Sequence, residues 1–146
     1  MQKPRSYYGK RYRSNDAFGD WIFWRFIFIL NEKVHKIVFR TPLRDPDKPR
    51  KRIFGAWMRD DHIIDYGNEK LIYEKSVLYI DPELHQKNDE AILSTLLHEL
   101  AHILFADTLK EQSIKRIEKL LFNNLSPTQK QALARFLPKK NEGIDK

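Results

Sequence analysis

The stretch that decides the fold is STLLHELAHILF, residues 94–105. Two histidines in it, His98 and His102, are four residues apart, and Glu99 directly follows the first. Residues four apart lie on one face of an α-helix, so a helix here places the two imidazoles side by side. Apolar neighbours predict that this helix is buried: Leu93, Leu96, Leu97, Leu100, Leu104 and Phe105. Polar side chains of this kind on a buried helix indicate a functional site.

The spacing of the two histidines suits a metal ion. Imidazole nitrogens bind Zn²⁺ at about 2.0–2.1 Å, and two of them with one carboxylate leave a fourth position for water. Bound Zn²⁺ lowers the pKa of that water toward about 7, and Glu99 is placed beside it as a general base. The chain has no cysteine, so every protein ligand has to be His, Asp or Glu. We therefore predict one Zn²⁺ per chain.

The alternative is that these histidines are ordinary core or surface residues. From composition alone, a chance HExxH has a frequency on the order of 1% in a chain of this kind. The motif also lies on a strongly predicted helix that follows the β-rich stretch SVLYID. Both observations favour the metal site.

The surrounding sequence predicts an α+β fold with a helix, a small and mostly antiparallel sheet, and further helices. Asn15 is a candidate N-cap for a first helix that runs to about Lys33, and its aromatic residues 21–28 are expected to pack in the core. Alternating or β-rich stretches predict strands at residues 35–40, 53–58, 62–66, 70–73 and 76–81. Residues 41–52 hold three prolines and several charges and are predicted to form a loop.

Three helices are predicted after the last strand. The helix with the histidines covers about residues 88–105, and a break at residues 106–108 separates it from a helix over about residues 110–125. The third helix begins at Pro127, with Ser126 as its N-cap, and stops at Pro138. Residues 15–138 are thus expected to form a single domain between a basic flexible tail, residues 1–14, and a polar C-terminal tail, residues 139–146.

Hydropathy gives an expectation about the location of the protein. The longest apolar run, residues 21–30, has ten residues, is interrupted by Arg25, and is about half of the roughly 20 residues that a membrane-spanning helix needs. The basic N-terminus is not followed by a cleavage site for a signal peptidase. The expected location is the cytoplasm, or the host cytoplasm if a phage encodes the protein.

The charge balance favours acidic partners. Lys and Arg number 27 against 20 Asp and Glu, so the net charge is +7 and the pI is near 9.6. In the N-terminal tail, tyrosines that could stack on bases alternate with four candidate nucleic-acid-binding residues: Arg5, Lys10, Arg11 and Arg13. The tail and the basic segment 41–52 are therefore candidate contacts for nucleic acid, against the alternative of a solvated terminus.

Residues 52–125 resemble the small zincin-type metallopeptidase domains of phages and bacterial genomes, and more distantly the SprT-like proteases. The resemblance rests on four segments in order: VLYIDPEL, LSTLLHELAH, FADTL and LKEQSIKRIEKLL. It implies a zincin-like fold and a zinc-dependent peptidase that acts on a protein or peptide substrate. It also implies that the helix after the motif supplies the third ligand and that the substrate lies along an edge strand beside the metal.

Three carboxylates follow His102 at a usable distance and remain open as the third ligand. Asp107 lies where the helix should end, which also suits a turn or an N-cap. Glu111 matches the glutamate that opens the second helix in the resembling domains, and it is the first choice. Glu118, seven residues later, shares nearly the same helix face and would be favoured by a tight antiparallel hairpin.

Few other residues are candidates for chemistry. His35, His62 and His85 have no partner at ligand spacing and are expected at the surface or at strand ends. Tyr73, Tyr79 and His62 are conceivable oxyanion stabilisers, and nothing in the sequence selects among them. The alternative function is a non-catalytic module of zincin fold that binds nucleic acid or a protein partner through its basic surface.

Overall fold

The computed structural model describes residues 13–106, 108–138 and 144–145. Its elements in chain order are α1 (Ala17–Glu32), β1 (Lys36–Arg40), β2 (Arg44–Asp45), β3 (Lys48–Arg52), β4 (Gly55–Trp57), β5 (His62–Asp65), β6 (Lys70–Tyr73), β7 (Val77–Ile80), α2 (Asp89–Phe105), α3 (Glu111–Asn124), α4 (Pro127–Ala134) and β8 (Ile144–Asp145). The predicted α+β class is confirmed. Most predicted boundaries lie within two residues of the observed ones.

The main sheet has the strand order β4–β7–β1–β8. Strand β1 is parallel to β7, with Lys36 opposite Val77, and β8 is parallel to β1. Strand β4 is antiparallel to β7 and forms one edge of this sheet. Two antiparallel hairpins, β2–β3 and β5–β6, lie outside this sheet. Antiparallel pairings therefore predominate among the described strands, whereas the main sheet itself is mixed.

The prediction of a loop at residues 41–52 is wrong, because this segment contains the hairpin β2–β3. Its prolines do not prevent pairing. Pro46 falls between the two strands, and Pro49 lies in β3, which pairs only with β2 among the described residues. A strand with one unpaired edge tolerates proline because the missing amide donor is not needed on that side.

Strand β7 separates two hydrophobic cores because its side chains alternate between the faces of the sheet. Leu78 and Ile80 pack against the helices, whereas Val77 and Tyr79 pack beneath the hairpins. The helical core is built mainly by α1, α2 and α3, with these fully buried members: Ile22, Phe23, Phe26, Leu96, Leu97, Leu100, Ile114 and Leu121. The smaller core includes Leu43, Met58, Ile64 and Tyr73.

Helix α1 differs from the prediction at its start and on its outer face. Its N-cap is Asp16 rather than Asn15, and the Asp16 carboxylate accepts a hydrogen bond from a first-turn amide. Trp21 and Phe28 were expected in the core, but each is 52% exposed. A single helix cannot direct all of its aromatic residues to one side, so these two face solvent, where the Arg25 guanidinium lies 5.8 Å from the Trp21 ring.

The chain on either side of residues 15–138 is described only in part. Ser14 belongs to the predicted tail, yet its amide and hydroxyl both donate to the Asp20 carboxylate, at 2.8 and 2.7 Å. Arg5, Lys10 and Arg11 lie outside the described residues, and Arg13 is exposed. In the polar C-terminal segment, residues 144–145 form β8 beside β1. Within the described parts of the chain, no helix has the length and apolar character needed to cross a membrane.

Candidate metal centre

Local sequence signals define the helix that carries the two histidines. Asn88 caps α2, its side chain accepting a hydrogen bond from the amide of Ala91 at 3.0 Å. The helix ends at Ala106, which adopts the left-handed conformation with φ of 47°. This turn leads the chain into α3, and α2 and α3 then pack closely against each other. The predicted break at residues 106–108 therefore brings the second helix back over the histidines.

Three side chains from α2 and α3 converge on one point. The Nε2 atoms of His98 and His102 lie 3.2 Å apart. Glu111, the first residue of α3, places Oε1 2.7 Å from Nε2 of His98 and Oε2 3.1 Å from Nε2 of His102. Among the described residues, these three form the group whose ligand atoms are close enough to share a metal ion.

The donor types are those that Zn²⁺ binds, and the two imidazole nitrogens are spaced as two of its ligands would be. Two ligand atoms at about 2.0–2.1 Å from a tetrahedral zinc are about 3.3 Å apart, close to the 3.2 Å between the Nε2 atoms of His98 and His102. The Glu111 carboxylate provides a third, negatively charged donor. Two imidazoles and one carboxylate leave one coordination position open, as catalytic zinc sites require.

Glu118 contacts the opposite side of the first imidazole. Its Oε1 lies 2.8 Å from Nδ1 of His98, and its other oxygen accepts a hydrogen bond from the Ser94 hydroxyl. A carboxylate only accepts, so Nδ1 of His98 donates to Glu118, while Nε2 faces His102 and the carboxylate of Glu111. The structure therefore brings Glu118 to His98 without placing it in the three-residue cluster.

The pKa values of His98 and Glu118 follow from the contacts that each side chain makes. Burial by itself lowers the pKa of His98, but the hydrogen bond to Glu118 and the charges of Glu99 and Glu111 outweigh it and leave the pKa above its ordinary value. Burial by itself raises the pKa of Glu118, but the hydrogen bonds from His98 and Ser94 outweigh it and lower the pKa. Glu118 is therefore a stable carboxylate at neutral pH.

Glu99 faces the edge strand β4 rather than the cluster of ligand atoms. Its carboxylate lies close enough to the backbone of Trp57 in β4 for the Trp57 amide to act to lower the pKa of Glu99. Gly55, at the start of β4, allows this close approach, because a Cβ there would lie 2.6 Å from Cγ2 of Thr95 and 3.3 Å from Cγ of Glu99. Burial, with smaller contributions from the charges of Glu111 and Glu118, raises the pKa of Glu99 to about 7.

The segment between β7 and α2 is fixed by a buried carboxylate. Asp81 is fully buried and accepts hydrogen bonds from Arg52 at 2.7 Å, from Thr41, and from the amides of Leu43 and Leu84. These contacts tie the β2–β3 hairpin to the end of β7. The residues that follow Arg52 enter β4, so the same carboxylate fixes the position of the edge strand beside Glu99.

The prediction for His85 is wrong, whereas His35 is exposed as expected. His85 is buried, with Nδ1 2.7 Å from the carbonyl oxygen of Asp81 and Nε2 2.6 Å from the Thr95 hydroxyl. A carbonyl only accepts, so Nδ1 of neutral His85 donates and Nε2 accepts from Thr95. The ring also packs edge-on against Phe54. Spacing alone could not reveal this role, because both polar contacts depend on the tertiary fold.

The tyrosines considered as oxyanion stabilisers lie in the core beneath the hairpins. The hydroxyl of Tyr73 accepts from the amide of Arg44, and that of Tyr79 accepts from the amide of Glu74. Both rings pack on the sheet face opposite α2, so neither reaches the cluster of His98, His102 and Glu111. His62 is the first residue of β5, in the hairpin β5–β6. Asp107, the remaining candidate ligand, lies outside the described residues.

Sequence reasoning missed three residues of this centre: Ser94, Gly55 and Thr95. One signal was available for Ser94, which precedes His98 by four residues and therefore shares its helix face. Gly55 and Thr95 gave no local signal, because their importance comes from the close approach of β4 to α2.

No family model, no curated protein and no solved structure matches this chain.

Proposed function

We propose that the chain is a zinc-dependent metallopeptidase whose metal is held by His98, His102 and Glu111, with Glu99 as general base. One observation carries this proposal, the convergence of two Nε2 atoms and one carboxylate within 3.2 Å of one another. Glu99 lies on the same helix between the two histidines, and the charges of His98 and Glu111 act on its carboxylate. In this proposal it acts on water at the open coordination position without being a ligand.

The chemistry of peptide hydrolysis fits these residues. When bound, Zn²⁺ supplies a Lewis acid that polarises the scissile carbonyl and acidifies water. Glu99 takes the proton from the attacking water and delivers it to the nitrogen of the leaving amine, so that one carboxylate serves as base and then as acid.

Glu118 and Ser94 support the first ligand in this proposal. A ligating histidine commonly donates its other ring N–H to a carboxylate, which fixes the tautomer and makes the ligating nitrogen more basic. Glu118 accepts this hydrogen bond from His98, and Ser94 holds the Glu118 carboxylate from the same helix. Glu118 is therefore a positioning residue, and Glu111 is the third ligand.

The edge strand beside Glu99 suits an extended peptide substrate. Among the described residues β4 pairs only with β7, so its outer side offers backbone donors and acceptors to another strand. A peptide added there would form main-chain hydrogen bonds with β4 and pass next to Glu99. Main-chain pairing of this kind needs no particular side chain on the substrate.

Metal analysis of the purified chain tests the proposal. We expect one zinc per chain, lost in His98→Ala and in His102→Ala. His35→Ala is the matched control, because His35 is exposed and lies outside the cluster, and it should keep full zinc occupancy. Full occupancy in both site variants would exclude the metal centre. A zinc-free wild-type chain would instead favour the non-catalytic alternative.

A further inference from the structure

A second candidate site lies between the two hairpins. The cleft has a volume of about 750 Å³ and is lined on one side by β3 and on the other by β5 and the residue after it. The hairpins stand over the smaller core, which packs on the sheet face opposite α2. The cleft is therefore separate from the cluster of His98, His102 and Glu111.

The β3 wall of the cleft is cationic. Lys48, Arg50 and Lys51 are all exposed, and none forms an ion pair within the part of the chain that the structure describes. The opposite wall includes one carboxylate, Asp65, which accepts a hydrogen bond from the amide of Gly67. Three unpaired cations against one carboxylate attract a polyanion.

The β5 wall adds exposed apolar and aromatic surface. Ile63, which lines the cleft, is 65% exposed. Tyr66 is 39% exposed, and its hydroxyl donates to the carbonyl of Pro49 in β3. This hydrogen bond holds the tyrosine ring next to the cationic wall. Exposed rings beside unpaired cations are the combination that single-stranded nucleic acid recognises.

We propose that this cleft binds single-stranded nucleic acid, with phosphates on β3 and bases on Tyr66 and Ile63. Strand alternation places Lys48 and Arg50 on the same side of β3 at a separation of roughly 6.6 Å, which suits successive phosphates of an extended strand. A duplex keeps its bases stacked and offers no free base to Tyr66. An acidic peptide offers charge but no flat ring to stack there.

Fluorescence anisotropy with the full-length chain tests this inference. The probes are a labelled oligothymidine, a duplex of equal length and an oligoglutamate peptide of equal charge, each between about 50 and 200 mM salt. The first variant is the triple substitution Lys48→Gln, Arg50→Gln and Lys51→Gln. Its control removes the same charge from exposed positions on α3 and after α1, through Lys33→Gln, Arg116→Gln and Lys119→Gln.

We expect the cleft variant to bind oligothymidine at least about ten-fold more weakly than the control variant. Its salt slope should fall in magnitude by at least about 1.4, since Lys48 and Arg50 each contact a phosphate and each lost contact with a single strand removes about 0.7. Tyr66→Ala should weaken binding by about ten-fold, whereas Tyr66→Phe keeps the ring and most of the affinity. Circular dichroism establishes that each variant is folded.

Three results would overturn the inference. Equal losses in the cleft and control variants would show that affinity follows net charge alone. Binding of the duplex or of oligoglutamate as tight as that of oligothymidine would exclude a site for single strands. No binding of oligothymidine at the lowest salt would exclude a nucleic-acid site altogether. None of these results bears on the metal centre, because the substituted residues lie outside it.

Discussion

Nδ1 of His98 lies 2.8 Å from the carboxylate of Glu118, on the side of the ring opposite Glu111. The two glutamates are seven residues apart on α3, so they share one helix face and contact the two nitrogens of a single imidazole. Only one of these nitrogens faces His102. The imidazole thus separates the carboxylate that we propose as a ligand, Glu111, from the carboxylate that we propose as its support, Glu118.

This arrangement predicts that Glu111→Ala and Glu118→Ala weaken zinc binding to different degrees. Loss of Glu118 should weaken zinc affinity by about 10–100-fold, the usual effect of removing the carboxylate behind a ligating histidine. Loss of Glu111 should cost considerably more, because it removes a ligand. Competition against a chelator of known affinity at neutral pH measures both effects.

Glu32→Ala is a suitable control for this pair, since Glu32 is exposed at the end of α1 and far from the cluster in sequence. It should leave the zinc affinity unchanged. A larger loss in Glu118→Ala than in Glu111→Ala would contradict the assignment. In that case Glu118 would be the third ligand, as a tight hairpin between α2 and α3 had suggested.

The sequence predicts much of this centre because its signals are local. The four-residue spacing of His98 and His102 and the cap at Asn88 are properties of one helix. The sequence could not separate Glu111 from Glu118, because their shared helix face makes both suitable. Which of the two glutamates reaches Nε2 of His98 depends on how α3 lies over α2. This tertiary relationship has no local signal in the sequence.

A second prediction concerns Glu99, which is expected to act as a base and not as a ligand. Glu99→Gln keeps the size and shape of the side chain but removes the carboxylate that accepts the proton. Zinc should remain bound, while hydrolysis of an accepted peptide should fall by about 10²-fold or more. Zinc content and turnover are measured on the same preparation. Unchanged turnover would rule out Glu99 as the general base.

Asp81 is predicted to stabilise the fold through its buried contacts. Asp81→Asn replaces the carboxylate with a neutral amide and so weakens the two charge-assisted hydrogen bonds from Arg52. Hydrogen bonds to charged groups contribute about 1.5–3 kcal/mol each, so the free energy of unfolding at pH 7 should fall by at least about 2 kcal/mol. Urea denaturation measures the change, and Asp47→Asn, an exposed carboxylate of the same hairpin, is the control.

The effect of Asp81 should depend on pH. Burial by itself raises the pKa of Asp81, but the hydrogen bonds from Arg52 and from backbone amides outweigh it and leave the pKa below its ordinary value. The stabilisation is therefore complete above the unfolded pKa of about 3.9 and is lost as the pH falls through the lower folded pKa. The difference between wild type and Asp81→Asn should accordingly shrink below about pH 4. A constant difference down to pH 2 would contradict this reasoning.

The parts of the fold that the sequence did not predict depend on contacts between distant segments. The hairpin at β2–β3 forms in a segment with three prolines because Arg52 and Leu43 both bind Asp81. His85 is buried because Thr95, ten residues later, satisfies its ring nitrogen. Composition and periodicity report the preferences of short segments, so neither contact could be inferred from them.

The last prediction tests how closely β4 must approach α2. Gly55→Ala adds a Cβ 2.6 Å from Cγ2 of Thr95, and Thr95 cannot rotate away without losing its hydrogen bond to His85. The extra atom should lower the free energy of unfolding by about 1–3 kcal/mol, the usual cost of overpacking. Thr95→Ser removes the clashing methyl group and keeps the hydroxyl, so the double variant should regain most of that stability. Urea denaturation of the wild type, both single variants and the double variant gives the coupling energy. Additive losses would show that β4 and α2 do not meet at this point, and the position proposed for Glu99 would then lose its support.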